Sequence, residues 1–158
     1  MPKFNISRKV PFSVEQVFAI SADVGQYRTF LPLVKRSVVR NHEHLPDGRE
    51  TFEADLTVLY KKLGIEETLT SRVTVDRTAH TVVAVSTEGP VKHLNSEWRI
   101  LPAEPGHCEI NLTVDYQLKS RTLQFVLSGM FDMVVRRMMN AFEDRAYKLY
   151  GGSKAASS

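Results

Sequence analysis

Apolar and polar residues alternate through most of this chain, and the alternation gives way to helical spacing near each end. From Lys3 to Val10, Phe4, Ile6 and Val10 alternate with Lys3, Asn5, Ser7 and Lys9, the period of a strand with one buried face. Arg8 interrupts the apolar set. In Phe12-Ser13-Val14-Glu15-Gln16-Val17, Ser13 can accept from the Gln16 amide, Gln16 can reach back, and Phe12 can pack on Val17: a capping box with a hydrophobic staple. The helix it opens carries Val14, Val17, Phe18 and Ser21 or Ala22 on one face and ends near Asp23. Pro32 limits any second helix to a short turn over Tyr27 to Leu31.

The middle of the chain reads as a meander of strands. Val34 to Asn41 leads into Leu45-Pro46-Asp47-Gly48, a turn sequence that predicts a hairpin. In the returning strand Phe52, Ala54, Leu56, Val58 and Tyr60 share one face, while Glu53, Asp55 and Thr57 share the other. After Gly64, Ile65, Leu69, Val73 and Val75 alternate with Glu66, Thr68, Thr70, Arg72 and Thr74. Asp76 to His80 predicts another turn, and Thr81 to Thr87 is a β-branched run ended by Gly89-Pro90. Leu94, Ser96, Trp98 and Ile100 oppose Asn95, Glu97 and Arg99. Past the Pro102 to Gly106 loop, Cys108, Ile110, Leu112, Val114, Tyr116 and Leu118 oppose Glu109, Asn111, Thr113 and Asp115.

The alternation then stops. From Arg121 to Tyr150, Leu123, Val126, Leu127, Met130, Phe131, Val134, Val135, Met138, Phe142 and Leu149 recur at three- and four-residue steps, which predicts one helix about 45 Å long. Asp132 with Arg136 and Asp144 with Lys148 are i,i+4 pairs on its wetter sides. Gly151-Gly152 ends it. One domain over residues 1–152 is expected, followed by a disordered polar tail over 153–158.

Composition narrows the classes. The 158 residues, 42% hydrophobic and 25% charged, can enclose a core. A net charge of +3 permits contact with nucleic acid or an anionic membrane without requiring either. Cys108 is the only cysteine, so no internal disulfide or thiolate metal cage forms, and a cytoplasmic setting is expected. The opening segment lacks an apolar run of signal-peptide length, and no window has the roughly 18 apolar residues of a membrane span, so neither secretion by that route nor spanning is expected.

An antiparallel sheet with one apolar face must cover it, and only the last helix is long enough. An α+β architecture follows: strand, helix, helical turn, six strands, long helix. A sheet of about seven strands twists, so a straight helix laid in its concave side leaves space at some places. Residues bordering that space would be Phe30, Leu31, Leu33, Leu56, Val58, Tyr60, Val73, Val85, Trp98, Leu112, Val114, Tyr116, Met130, Phe131, Val134 and Met138. The same residues could pack solid, and periodicity alone fits a core better than a pocket.

Three segments bear a resemblance: Tyr27-Arg28-Thr29-Phe30-Leu31-Pro32-Leu33-Val34, Leu94-Asn95-Ser96-Glu97-Trp98-Arg99-Ile100, and Ala141 to Gly151. With the order of elements they resemble the helix-grip fold (START/Bet v 1-like) of polyketide-cyclase-like proteins, and within it the coenzyme Q-binding START-like family, whose bacterial members are also described as ribosome-association toxins. The chain departs from that family's usual pattern at Arg28 and at Leu33-Val34, beside the expected mouth. The resemblance implies a non-catalytic carrier of ubiquinone that supports respiration, with transient contact at the inner face of the respiratory membrane. A polyisoprenoid tail needs few polar groups, since each 100 Å² buried contributes about 2.5 kcal/mol. The quinone carbonyls need donors, and Tyr60, Tyr116, Ser96 and Trp98 offer them on apolar faces, with Lys35 or Arg36 at a rim.

Other chemistry is thinner. His42-Glu43-His44 could chelate from one strand face but has no third ligand, so no metal is expected. Glu66 and Glu67 are adjacent and diverge, as do His107 and Cys108, leaving Cys108 inert and half-buried. Tyr60, Ser96 and Tyr116 stand in the inward sets with no His, Asp or Glu, which favours binding over cyclase- or dehydratase-like catalysis; a one-residue slip would turn Glu97 or Asp115 inward. Lys35, Arg36, Arg40, Lys61, Lys62, Arg136 and Arg137 form basic patches suited to a ribosomal subunit or an anionic membrane, without the basic-aromatic run that would predict DNA contact.

Overall fold

The computed structural model describes residues 3–151. The expected polar tail at 153–158 lies outside them. Strand β1 (Lys3–Val10) precedes helix α1 (Val14–Ala22) and a 3-10 turn (Val24–Thr29). Six strands follow: β2 (Val34–His44), β3 (Glu50–Tyr60), β4 (Ile65–Asp76), β5 (Thr81–Ser86), β6 (Val91–Pro102) and β7 (Cys108–Leu118). Helix α2 (Arg121–Ala146) closes the fold and runs into a wider turn (Tyr147–Gly151).

The strands form one curved antiparallel sheet in the order β1-β7-β6-β5-β4-β3-β2. Hairpins join neighbours from β2 to β7, and β1 returns from the chain start to pair with β7, Phe4 opposite Val114. Local signals set the corners. Ser13 Oγ accepts from the Gln16 amide at 3.2 Å while Gln16 Oε1 accepts from the Ser13 amide at 3.0 Å, so the capping box forms. At the β2–β3 corner the Gly48 amide donates to the Leu45 carbonyl at 3.0 Å, and Gly48 takes φ +92°, open to glycine without strain.

Arg8 keeps the parity of β1. It shares the inner face with Phe4, Ile6 and Val10, and its Nη1 lies 3.3 Å from Glu143 Oε1 on α2. The apparent break in the pattern is a tether between sheet and helix. Along α2, Val135, Met139, Phe142 and Ala146 are at most 1% exposed, whereas none of residues 121–134 is buried. The C-terminal half is therefore core, and the N-terminal half stands over the sheet without sealing it. Periodicity placed Met138 in the buried stripe; Met139, one position on, is the residue that is wholly enclosed.

Candidate functional site

A band of small residues crosses the concave face. Ala54 on β3 pairs with Ser71 on β4, and Ala84 on β5 pairs with Ser96 on β6. Paired residues share a face, and Ala84 pairs with Val73, two residues from Ser71, so the two small pairs form one band stepped by two residues between β4 and β5. Bulkier Val73, Val82 and Trp98 stand on one flank, and Leu56, Leu69 and Leu94 on the other. Short side chains stop well below the helix, and the space above them is a chamber of about 260 Å³. Phe131, Val134, Val135 and Met138 of α2 roof it, and Leu112, Val114 and Tyr116 of β7 wall it.

A second chamber of about 180 Å³ lies under the N-terminal half of α2, walled by Tyr60, Ile65, Glu67, Pro90, Leu123, Val126 and Met130. The two share Leu33, Val58, Leu69, Leu118, Leu127 and Val134, so they adjoin. Together they reach the low end of the roughly 300–1,000 Å³ usual for ligand sites. Leu33 belongs to both and holds φ +68°, a left-handed backbone that costs a leucine about 1–2 kcal/mol. Its carbonyl accepts from the Leu59 amide at 2.8 Å, which holds the turn against β3.

Most of the residues expected to border the space do so. Val85 does not: it is 41% exposed on the outer face. The pairings Val82 with Trp98 and Ala84 with Ser96 set the parity of β5, which a uniform β-branched run concealed. Phe30 is displaced too; it ends the 3-10 turn and packs on Tyr27 and Phe142, with the Arg145 guanidinium 5.3 Å from its ring. Neither Lys35 nor Arg36 borders a chamber. Lys35 Nζ reaches Glu66 Oε1 at 3.0 Å across the sheet edge, and Arg36 is exposed.

The expectation that no acid faces inward fails at Glu67. It stands opposite Val58, between Ile65 and Leu69 on the inner face of β4, and borders the outer chamber half-buried. Its parity with Ile65 and Leu69 was available in the chain, as was that of Ser71 with Val73. Glu97 and Asp115 keep the outer parity, and Asp115 Oδ1 lies 3.1 Å from His93 Nε2. Asp55 also serves the outer face, where hydrogen bonds from Arg40 and Thr70 hold its carboxyl below the usual range. His42 Nε2 lies 3.0 Å from Glu50 Oε2, with the His44 ring edge-on to its own.

The polar groups around the inner chamber divide into two sets. Tyr27 donates to the Ser21 carbonyl, and burial with nearby Asp23 pushes its phenol far above the ordinary range. Ser86 donates to the Thr70 carbonyl at 2.6 Å, and Tyr116 Oη lies 3.4 Å from Ser128 Oγ. Ser71, Ser96 and Trp98 line the chamber and have no side-chain hydrogen bond within the described residues. Ser71 and Trp98 are each only 5% exposed. Cys108, expected half-buried, is fully enclosed, and its thiol is pushed up to about 11 by desolvation and by Glu15.

A seven-stranded antiparallel sheet curved around a long C-terminal helix, with an apolar cavity between them, defines a helix-grip domain. Residues 10–143 match the model of the family described as polyketide cyclase / dehydrase and lipid transport, and the chain belongs to that family. It is 32% identical over 153 residues to the mitochondrial coenzyme Q-binding protein COQ10 homolog B of Xenopus laevis, covering 94% of this chain and 59% of that protein. It is 30% identical over 152 residues to the ribosome association toxin RatA of Vibrio cholerae, covering 96% of this chain and 99% of the relative. The solution structure of the 18 kDa protein CC1736 from Caulobacter crescentus superposes with a TM-score of 0.81 at 25% identity, over 96% of this chain and all of that one. The Zhui aromatase/cyclase from Streptomyces sp. R1128 shares the fold, at a TM-score of 0.79, 18% identity and coverage of 96% and 98%.

Proposed function

We propose that this domain is a non-catalytic carrier of ubiquinone or a similar isoprenoid quinone. The observation that carries the reading is the apolar cavity under α2 in a chain about one-third identical to a coenzyme Q-binding protein. Cavity walls of Leu, Val, Met and Phe suit a polyisoprenoid chain, whose burial needs no polar partners. The chambers accommodate a ring and the first isoprene units, and the rest of a long tail runs out beneath the N-terminal half of α2. Tyr27, Ser71, Ser96, Trp98 and Tyr116 supply the polarity of the inner chamber, and none of them is a general base at neutral pH.

Delivery is proposed to occur at the inner face of the respiratory membrane, through the end where the outer chamber opens. Phe125 is 82% exposed on α2 and Leu63 is 49% exposed in the turn after β3. Exposed Lys61, Lys62, Lys119 and Arg121 lie next in sequence to, or within two residues of, chamber residues Tyr60, Leu118 and Leu123. Apolar tips among basic residues suit an anionic surface. A second reading, contact with a ribosomal subunit, is favoured by the near-complete coverage of the RatA relative.

The experiment is native mass spectrometry with solvent extraction and chromatography, on protein purified from a quinone-producing bacterium. A stoichiometric quinone is expected. Met130→Glu, in the outer chamber wall, should abolish uptake, and Glu109→Lys, on the outer face, should not. An empty protein that also refuses added quinone sinks the carrier reading, and salt-sensitive co-sedimentation with ribosomal subunits then supports the second.

A further inference from the structure

The inner chamber joins a floor of small side chains to donors without protein partners. These donors are not sealed in the core: among the described residues Thr51 Oγ1 is the one fully buried side-chain atom without a partner, so the Ser71, Ser96 and Trp98 donors keep accessible surface and can take a ligand acceptor. Here Ser71, Ser96 and Trp98 line one chamber, while neighbouring Tyr27 and Ser86 are bonded to backbone carbonyls. Ser71 and Ser96 lie on the strands that flank β5, offset by two residues because Ala84 pairs with Val73 and Ser96, so roughly 12 Å separates their backbones. A flat ring laid over Ala84 meets Ser96 directly on one side and, on the other, reaches Ser71 diagonally past Val73. The indole N–H of Trp98 can only donate, so what it binds must accept.

We infer that the ligand enters ring first: its carbonyl-bearing ring seats in the inner chamber on Ala84, against Ser71, Ser96 and Trp98, and its tail leaves through the outer chamber. This deepens the quinone reading and rests on it. The opposite orientation would bring carbonyl oxygens into the chamber that Glu67 borders. A carboxylate accepts and cannot donate, which leaves the Tyr60 phenol as the one side-chain donor lining that chamber, against Ser71, Ser96 and Trp98 in the inner one. The ring-first arrangement also leaves the apolar tail under the least buried part of α2.

The test uses two probes on the full chain: decylubiquinone, and farnesene, a ringless isoprenoid hydrocarbon. Trp98 is the only tryptophan, so a seated quinone ring quenches essentially all of the indole emission; farnesene is followed by calorimetry. Ser71→Ala with Ser96→Ala should weaken decylubiquinone roughly tenfold to a hundredfold and leave farnesene within about twofold. Asn95→Ala, exposed on the outer face of β6, should change neither. Ala84→Leu, which fills the floor, should exclude decylubiquinone and spare farnesene. Equal quinone affinity in the double variant, or an equal loss of both probes, overturns the ring-first seat. A wild-type protein that takes farnesene and refuses decylubiquinone overturns the quinone reading itself.

Discussion

Trp98 on β6 and Phe142 on α2 meet with ring centroids 4.3 Å apart and planes tilted by 37°. Trp98 also borders the inner chamber, so one aromatic contact both anchors the helix and bounds the cavity. Phe142 touches Tyr27 and Phe30 edge-on as well, which ties the turn after α1 to the same point. The firm end of α2 lies here, and the other end spans open space.

Removing that anchor should be costly. Phe142→Ala is expected to lower stability by about 3–5 kcal/mol, the range for a fully buried aromatic. Phe125→Ala, on the same helix but 82% exposed, should stay within about 0.5 kcal/mol. Urea denaturation of the two variants measures the contrast, and similar losses would contradict the assignment of α2 to an anchored and an unanchored half.

Gly129 lies within the unanchored half, and a Cβ placed there meets nothing within 4 Å. Gly129→Ala should raise stability by about 0.5–1 kcal/mol through helix propensity alone. Hydrogen exchange should be faster over residues 121–134 than over 135–146 in the wild-type protein, and the substitution should narrow that difference. Uniform exchange along α2 would count against it.

Cys108 gives stability a dependence on alkaline pH. Its thiol is raised to about 11 in the fold, against about 8.5 in an unfolded chain, because burial disfavours the thiolate. The unfolded state therefore loses its proton first, so the contribution is complete below about pH 8.5 and is lost as pH rises toward 11. A fall on the order of 3 kcal/mol across that window is expected from the thiol. In Cys108→Ala the decline should begin only near pH 10, where the Tyr27 phenol, raised further in the fold, starts to ionise in unfolded chains. A curve unchanged by the substitution would refute the linkage. Thiol reagents at pH 8 should label Cys108 only on unfolding.

Membrane contact, if it follows the exposed end, has a charge signature. Lys61→Glu with Lys62→Glu should reduce partition to phosphatidylserine vesicles more than tenfold, at about 1 kcal/mol for each basic residue, and leave binding to neutral vesicles unchanged. Phe125→Asp should weaken both. Flotation at two salt concentrations reads the difference, and a double lysine variant that floats like wild type would place the contact elsewhere.

Much of the fold was legible in the chain because its strands are half-buried and its last helix is long. A two-residue period names the inner face of a strand wherever polar partners alternate cleanly, as from Cys108 to Tyr116. It fails where both faces carry β-branched residues, and Val85 was misplaced for that reason. Cavity or solid core is not decidable from periodicity, since Ala54, Ser71, Ala84 and Ser96 lie on four strands and only hydrogen-bonded register joins them into one stepped band. Glu67 has the parity of Ile65 and Leu69, an inward signal that its charge conceals. By itself the sequence determined the element order, the caps and turns, and which faces are apolar, all consequences of neighbours within a few residues. The tertiary structure alone decided that α2 is seated at one end and unsupported at the other, and that three donors without protein partners share one chamber, because both depend on residues brought together from distant strands.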